Sequence, residues 1–104
     1  MKAIHLIQKD PQLKPWPREK GSQEYESGFW DLTPKRAREA VGASIYFHVK
    51  QVEPSFFGGT ITDFRVKPDE PWRGRIIFTL QPSREFKGIR TDPDGWSMEM
   101  KFVE

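Results

Sequence analysis

Cysteine is absent from this chain of 104 residues. That absence removes disulfide staples, thiolate zinc sites and cysteine nucleophiles together, and it fits a reducing, cytoplasmic setting. Histidine is scarce as well: only His5 and His48 occur, and no close histidine pair announces a metal site. No apolar run reaches the length needed to cross a bilayer, so no membrane partner is expected. The opening "MKAIHLIQKD" has a short apolar stretch interrupted by a histidine and followed by a charged, proline-rich segment, which does not read as a signal peptide. A strong excess of one charge is missing too. Seventeen basic residues face fifteen acidic ones for a net charge of +2, too small an excess to imply nucleic acid without local clustering. There is no G-x-S-x-G nucleophile elbow and no Walker-type phosphate loop. Neither a metal nor a cofactor is expected, and the balance is against an enzyme.

The chain is lean in apolar residues, at 36%, but carries 8 Phe, 4 Trp and 2 Tyr. Each ring can bury roughly 150–250 Å², which supports one globular domain over residues 1–104. "KAIHLI" (Lys2–Ile7) reads as a first strand. A long loop follows, "QKDPQLKPWPREKGSQ", where Pro11, Pro15 and Pro17 forbid regular helix or a central strand. Trp16, between two of them, reads as a packed proline–aromatic cluster pinning that loop. "EYESGFWDL" holds a short strand ending near Trp30. "LTPKRAREAVG" is the clearest helix, with Thr33 at the N-cap, Pro34 at the first helical position and Gly42 just past the end.

Beyond Gly42 the period shortens. "ASIYFHVKQV" (Ala43–Val52) alternates, with Ile45, Phe47 and Val49 on one face and Tyr46, His48 and Lys50 on the other. The loop "VEPSFFGG" leads to a strand over Thr60–Val66, and "RIIFTL" (Arg75–Leu80) has the apolar character of a central strand. A weaker strand is expected over Glu85–Arg90. "DPDG" marks a turn, and "WSMEMKFV" reads as a closing strand with Trp96, Met98, Met100 and Phe102 inward. The expected fold is mainly β with one or two short helices (α+β): a small curved sheet or pseudo-barrel of five to seven strands, with the helix over one opening.

The order strand, long loop, "GFW", helix, glycine, "ASIYFHV" and a loop ending in "GGTI" resembles the PUA-like superfamily, which includes the ASCH, EVE and YTH-type domains. The likeness covers roughly residues 24–80, in pattern more than identity. It implies a pseudo-barrel that binds RNA, or a modified base, in a cleft between barrel and helix. ASCH-like members carry a G-x-K-x-x-E-type motif after the first strand. The nearest match here is "KGSQEYESG", with Gly21 and Glu24, where Lys20 precedes the glycine instead of following it.

Several residues qualify as a nucleic-acid site, each with a plainer alternative. Lys35, Arg36 and Arg38 sit in the first turns of the helix, where cations oppose the helix dipole unless an anion is shared; a solvated face explains them equally. Tyr46, His48, Lys50 and Gln51 form a polar strand face that stacks and reads a base only if a loop folds over it; an ordinary solvent side is the alternative. Phe56 and Phe57 are either core or a stacking lid, and Gly58 and Gly59 allow positive φ and close backbone approach. Trp30, just before the helix, is a candidate cage wall or a core residue. The first reading is therefore a module recognising RNA or a nucleobase, plain or modified. A small hydrolase acting on a nucleoside-like or amide substrate, using Lys20, Glu24 and Glu26, is a second reading. A protein-interaction domain pairing through an edge strand is a third.

Overall fold

In a computed structural model, residues 1–9 and 14–104 are described. Pro11 of the long loop lies outside them. Among the described residues the fold is mostly β, one sheet of eight strands with a single short α-helix. In chain order the strands are β1 (Ala3–Ile7), β2 (Trp16–Pro17), β3 (Tyr25–Trp30), β4 (Ser44–His48), β5 (Phe57–Val66), β6 (Ile76–Pro82), β7 (Trp96–Ser97) and β8 (Met100–Val103), with α1 (Pro34–Ala40) between β3 and β4. They lie in the order β2-β3-β6-β5-β4-β1-β8-β7, so the sheet is open, with two-residue strands at both edges. The pairings are antiparallel except for β1 with β4, which the long connection through β2, β3 and α1 makes parallel.

The sheet curls around one core. Ile4 and Leu6 of β1, Ile45 and Phe47 of β4, Ile61 of β5, and Ile76, Phe78 and Leu80 of β6 cluster with Ala37 and Ala40 of the helix. β6 sits between β3 and β5, as its apolar run implies. The helix begins where its sequence says. The Thr33 side chain accepts a hydrogen bond from the Arg36 N–H, Pro34 takes the first position, and Gly42 follows with φ +91°.

The other face of the sheet is not a solvent side. His48 is fully buried, and His5 is only 4% exposed. Residues 84–95 fold across this face: the expected strand over Glu85–Arg90 is instead a 3-10 turn (Arg84–Phe86) followed by irregular chain. Ser55 ties that cover down, its hydroxyl donating to the Phe86 carbonyl at 2.5 Å and accepting from the Ile89 N–H at 3.0 Å. Phe86 packs on Tyr46, centroids 5.3 Å apart.

The expected closing strand is likewise two strands and a tight turn. β7 and β8 pair through Trp96↔Lys101 and Ser97↔Met100, and Met98 takes φ +55° at the tip. Trp96 therefore goes to the His5 face, Met100 and Phe102 to the core, and Met98 to solvent at 89% exposure. Val49, expected inward, lies past the end of β4 and is exposed.

Gly58 and Gly59 belong to β5, not to a loop. Neither is needed for positive φ; both are needed for space. A Cβ on Gly58 would sit 2.4 Å from the Ile45 carbonyl oxygen, and one on Gly59 would sit 2.2 Å from that of Gln81.

Candidate functional site

A depression of about 630 Å³ opens where the curled sheet fails to close. Strands β3 and β8 are not neighbours, yet their residues wall the same groove. One wall is Gly28–Leu32, running from the end of β3 toward α1. The other is the β7–β8 turn with Met100 and Phe102, and the end of β1 with Gln8 and Lys9 forms the floor and rim.

Local chemistry sets each wall. β3 shifts register against β6 between Ser27 and Trp30, the mark of a bulge, and bulges re-aim side chains. Two successive aromatic rings diverge there. Trp30 turns toward the core, 6% exposed, and its indole N–H donates to Ser27 Oγ at 3.0 Å. Phe29 turns outward, lying against Trp16 at 5.9 Å and stacked on Trp72 at 5.0 Å. Trp16 of β2 is paired with Glu26 of β3 and donates its indole N–H to the Glu26 carboxylate at 3.3 Å. The β1 end is held in place by its own ladder: the Ile7 N–H donates to the Glu99 carbonyl and the Gln8 N–H to the His48 carbonyl.

The groove is electrically balanced, with Lys9 and Arg75 against Asp31 and Glu99. Lys9 and Glu99 pair with each other at 3.6 Å across the rim. Among the described residues, Arg75 and Asp31 make no ion pair. Leu32, Met98 and Met100 supply apolar surface. Among the described residues, the combination is an apolar slot in which Arg75 and Asp31 stand outside any ion pair.

The residues named from sequence do not converge on this groove. Of the twelve, Trp30 alone lines it. Lys50 and Gln51 border a smaller depression of about 380 Å³ that shares Ile7, Lys9, Met98 and Glu99 with the first, and Gln51 donates to the Met98 carbonyl at 3.1 Å. Phe56 and Phe57 are both half-buried against the core and border a third depression with Arg84 and Lys87. Gly58 and Gly59 are buried in the ladder. Tyr46 lies beneath Phe86 and stacks on His5 at 4.7 Å, so it presents no open face to a base. Arg36 is committed: its guanidinium pairs with Glu39 and Glu104 and lies 4.3 Å from the Phe102 ring centroid. Lys35 and Arg38 are exposed on the helix.

His48 is occupied as well. Its Nδ1 lies 2.9 Å from the Glu53 carbonyl oxygen, which can only accept, so Nδ1 carries the proton and donates. Nε2 of His48 therefore accepts from His5 Nδ1 at 2.8 Å. Burial pushes the His5 pKa down to about 4, helped by His48 and the neighbouring Lys101; burial lowers His48 as well, against the opposing pull of the Glu53 carbonyl.

The carboxylates of the hydrolase reading are also engaged. Glu26 accepts from Arg65 at 3.0 and 3.2 Å and from Trp16, and these bonds hold its pKa below the usual carboxylate value. Glu24 pairs with Arg18 at 3.1 Å and accepts from Thr62. Among the described residues no group of three or more histidines and carboxylates is placed to hold a metal, and no helix is long and apolar enough to cross a membrane.

Sequence reasoning missed Phe29, Asp31, Arg75 and the Met98 turn. "GFWDL" was the available signal, since aromatic residues beside a glycine and an aspartate leave a strand end rich in recognition groups. Comparison with known proteins adds no relative: no family model, no curated protein and no solved structure matches this chain.

Proposed function

We propose that the groove between β3 and the β7–β8 turn binds a nucleobase, free or within RNA, and that the protein is a recognition module. The observation that carries this reading is the slot itself: about 630 Å³, apolar on its sides, with Arg75 as donor and Asp31 as acceptor. Small-molecule sites run from about 300 to 1,000 Å³, mostly apolar with a few polar groups that fix orientation. A base needs flat apolar walls and paired edge contacts, whereas a polyphosphate needs a surplus of cations. The groove's balanced charge favours the base. Leu32, Met98 and Met100 suit a base carrying an added methyl. The PUA-like pattern of the sequence points the same way, although the cleft lies at the sheet opening instead of against the basic turns of α1.

The test is calorimetric titration of the four ribonucleosides and their base-methylated forms at two salt concentrations. One nucleoside should bind with an affinity that changes less than about twofold between 50 and 200 mM salt, because no phosphate is engaged. Arg75→Ala and Asp31→Ala should each weaken it by about tenfold or more, the worth of one hydrogen bond to a charged group. Equal affinity in both variants and the parent, or no nucleoside bound at all, contradicts the reading.

A further inference from the structure

Outside the groove, Trp72 is held in a costly way. Its φ is +65°, a left-handed conformation unfavourable for a bulky residue, and its side chain is 43% exposed. The indole lies nearly parallel to the Phe29 ring, 24° between planes and 5.0 Å between centroids, so it extends the groove's Phe29 wall into solvent. Two cations flank this stack. Lys67 Nζ is 5.7 Å from the Phe29 centroid, and the Lys67 N–H donates to the Arg75 carbonyl at 2.8 Å, which sets Lys67 beside Arg75 of the groove. Arg73 is engaged with Glu70 at 3.8 Å, while neither Lys67 nor Arg75 makes an ion pair among the described residues.

We propose that Trp72 is a second stacking platform, for the base adjacent to the one in the groove, and that the ligand is therefore a single strand of nucleic acid and not a free base. This rests on the groove reading and extends it. The strand places one base in the slot, its neighbour on the exposed indole, and the phosphate joining them at Lys67. Stacking on aromatic rings beside a basic track is how proteins hold single strands, and it tolerates any base. The strained backbone is over-determined by the turn around it: the Arg75 N–H donates to the Trp72 carbonyl at 3.0 Å and the Gly74 N–H to the Lys67 carbonyl at 2.9 Å.

The experiment compares adenosine monophosphate with an oligoadenylate tetranucleotide on the full chain and its Trp72→Ala, Trp72→Phe, Lys67→Ala, Arg75→Ala and Asp31→Ala variants, with thermal melting alongside. The tetranucleotide should bind the parent at least tenfold tighter than the mononucleotide. Trp72→Ala should remove at least fivefold of that gain, leave mononucleotide binding intact and lower the melting temperature little. Trp72→Phe should restore most of the gain, and Lys67→Ala should flatten the salt dependence of the tetranucleotide alone. Unchanged tetranucleotide affinity in Trp72→Ala, with the mononucleotide still bound, overturns the platform and leaves the groove reading standing. A Trp72-dependent tetranucleotide with binding indifferent to Arg75→Ala and Asp31→Ala overturns the groove and keeps the platform. No binding of either probe to the parent overturns the single-strand ligand, and no binding of any nucleoside in the calorimetric titration overturns the groove as well.

Discussion

Gly59→Ala should lower the stability of this protein by roughly 3 kcal/mol, the upper range for overpacking a filled interior. The added methyl would sit 2.2 Å from the Gln81 carbonyl oxygen and 2.8 Å from the Pro82 Cα, both backbone, so no side chain can rotate to make room. The β5–β6 ladder must part locally to admit it, and that ladder crosses the middle of the sheet. Gly58→Ala meets the Ile45 carbonyl oxygen at 2.4 Å and the Phe86 Cβ at 2.8 Å, so it also strains the cover over His5 and Tyr46. Gly74→Ala is the control: nothing lies within 4 Å of its added Cβ, and only the φ of +87° is unfavourable. That costs about 1 kcal/mol. Thermal melts should separate the two classes by on the order of 10 °C for a domain of this size. Equal melting temperatures for Gly59→Ala and Gly74→Ala contradict the packing described.

Acid should destabilise the protein well above the carboxylate range. His5 titrates near 6.5 when unfolded and is pushed down to about 4 in the fold, chiefly by burial. Between those values the unfolded chain binds the proton and the folded one does not, so stability falls as pH falls through that window. The contribution is complete above pH 6.5 and exhausted near pH 4. A displacement of that size corresponds to roughly 3 kcal/mol. His48, lowered in the same direction, adds to the loss. The charged neighbour is Lys101, whose Nζ donates to the Asp92 carbonyl at 2.7 Å; it shares the His5 face and repels a proton arriving there. Denaturant unfolding at pH 7 and pH 4.5 checks this. The parent should lose stability between the two, and His5→Gln should lose distinctly less, because Gln does not titrate. Equal losses in parent and variant would leave the buried histidine pair without the energetic role assigned to it.

Local chemistry was legible in the sequence wherever a short rule decides structure. Thr33, Pro34 and Gly42 bound the helix because capping acts within one turn. β1, β3, β4 and β6 announce themselves by apolar alternation or continuous apolar runs. The β7–β8 turn stayed hidden because period-two alternation runs straight through "WSMEMKFV", and only the left-handed backbone at Met98 breaks it. The second buried face was hidden for another reason. A strand that alternates apolar and polar looks one-sided, and nothing in "REFKGIRTDPD" except Phe86 signals a cover. His5 and His48 lie 43 residues apart and meet only through the parallel β1–β4 register. The groove is the least local feature. It comes from strands that do not pair, so no single stretch encodes it, and of the residues picked as binders only Trp30 reaches it.

On the proposed reading the groove beside β3, and not the basic start of α1 or the Tyr46 face, receives the ligand. Amide chemical shifts followed while the oligoadenylate tetranucleotide is added test it directly. Perturbations should gather at Gln8–Lys9, Phe29–Leu32, Trp72, Arg75 and Met98–Met100. Shifts confined to Lys35–Arg38 or to Phe56–Gly59, with those positions silent, would contradict it.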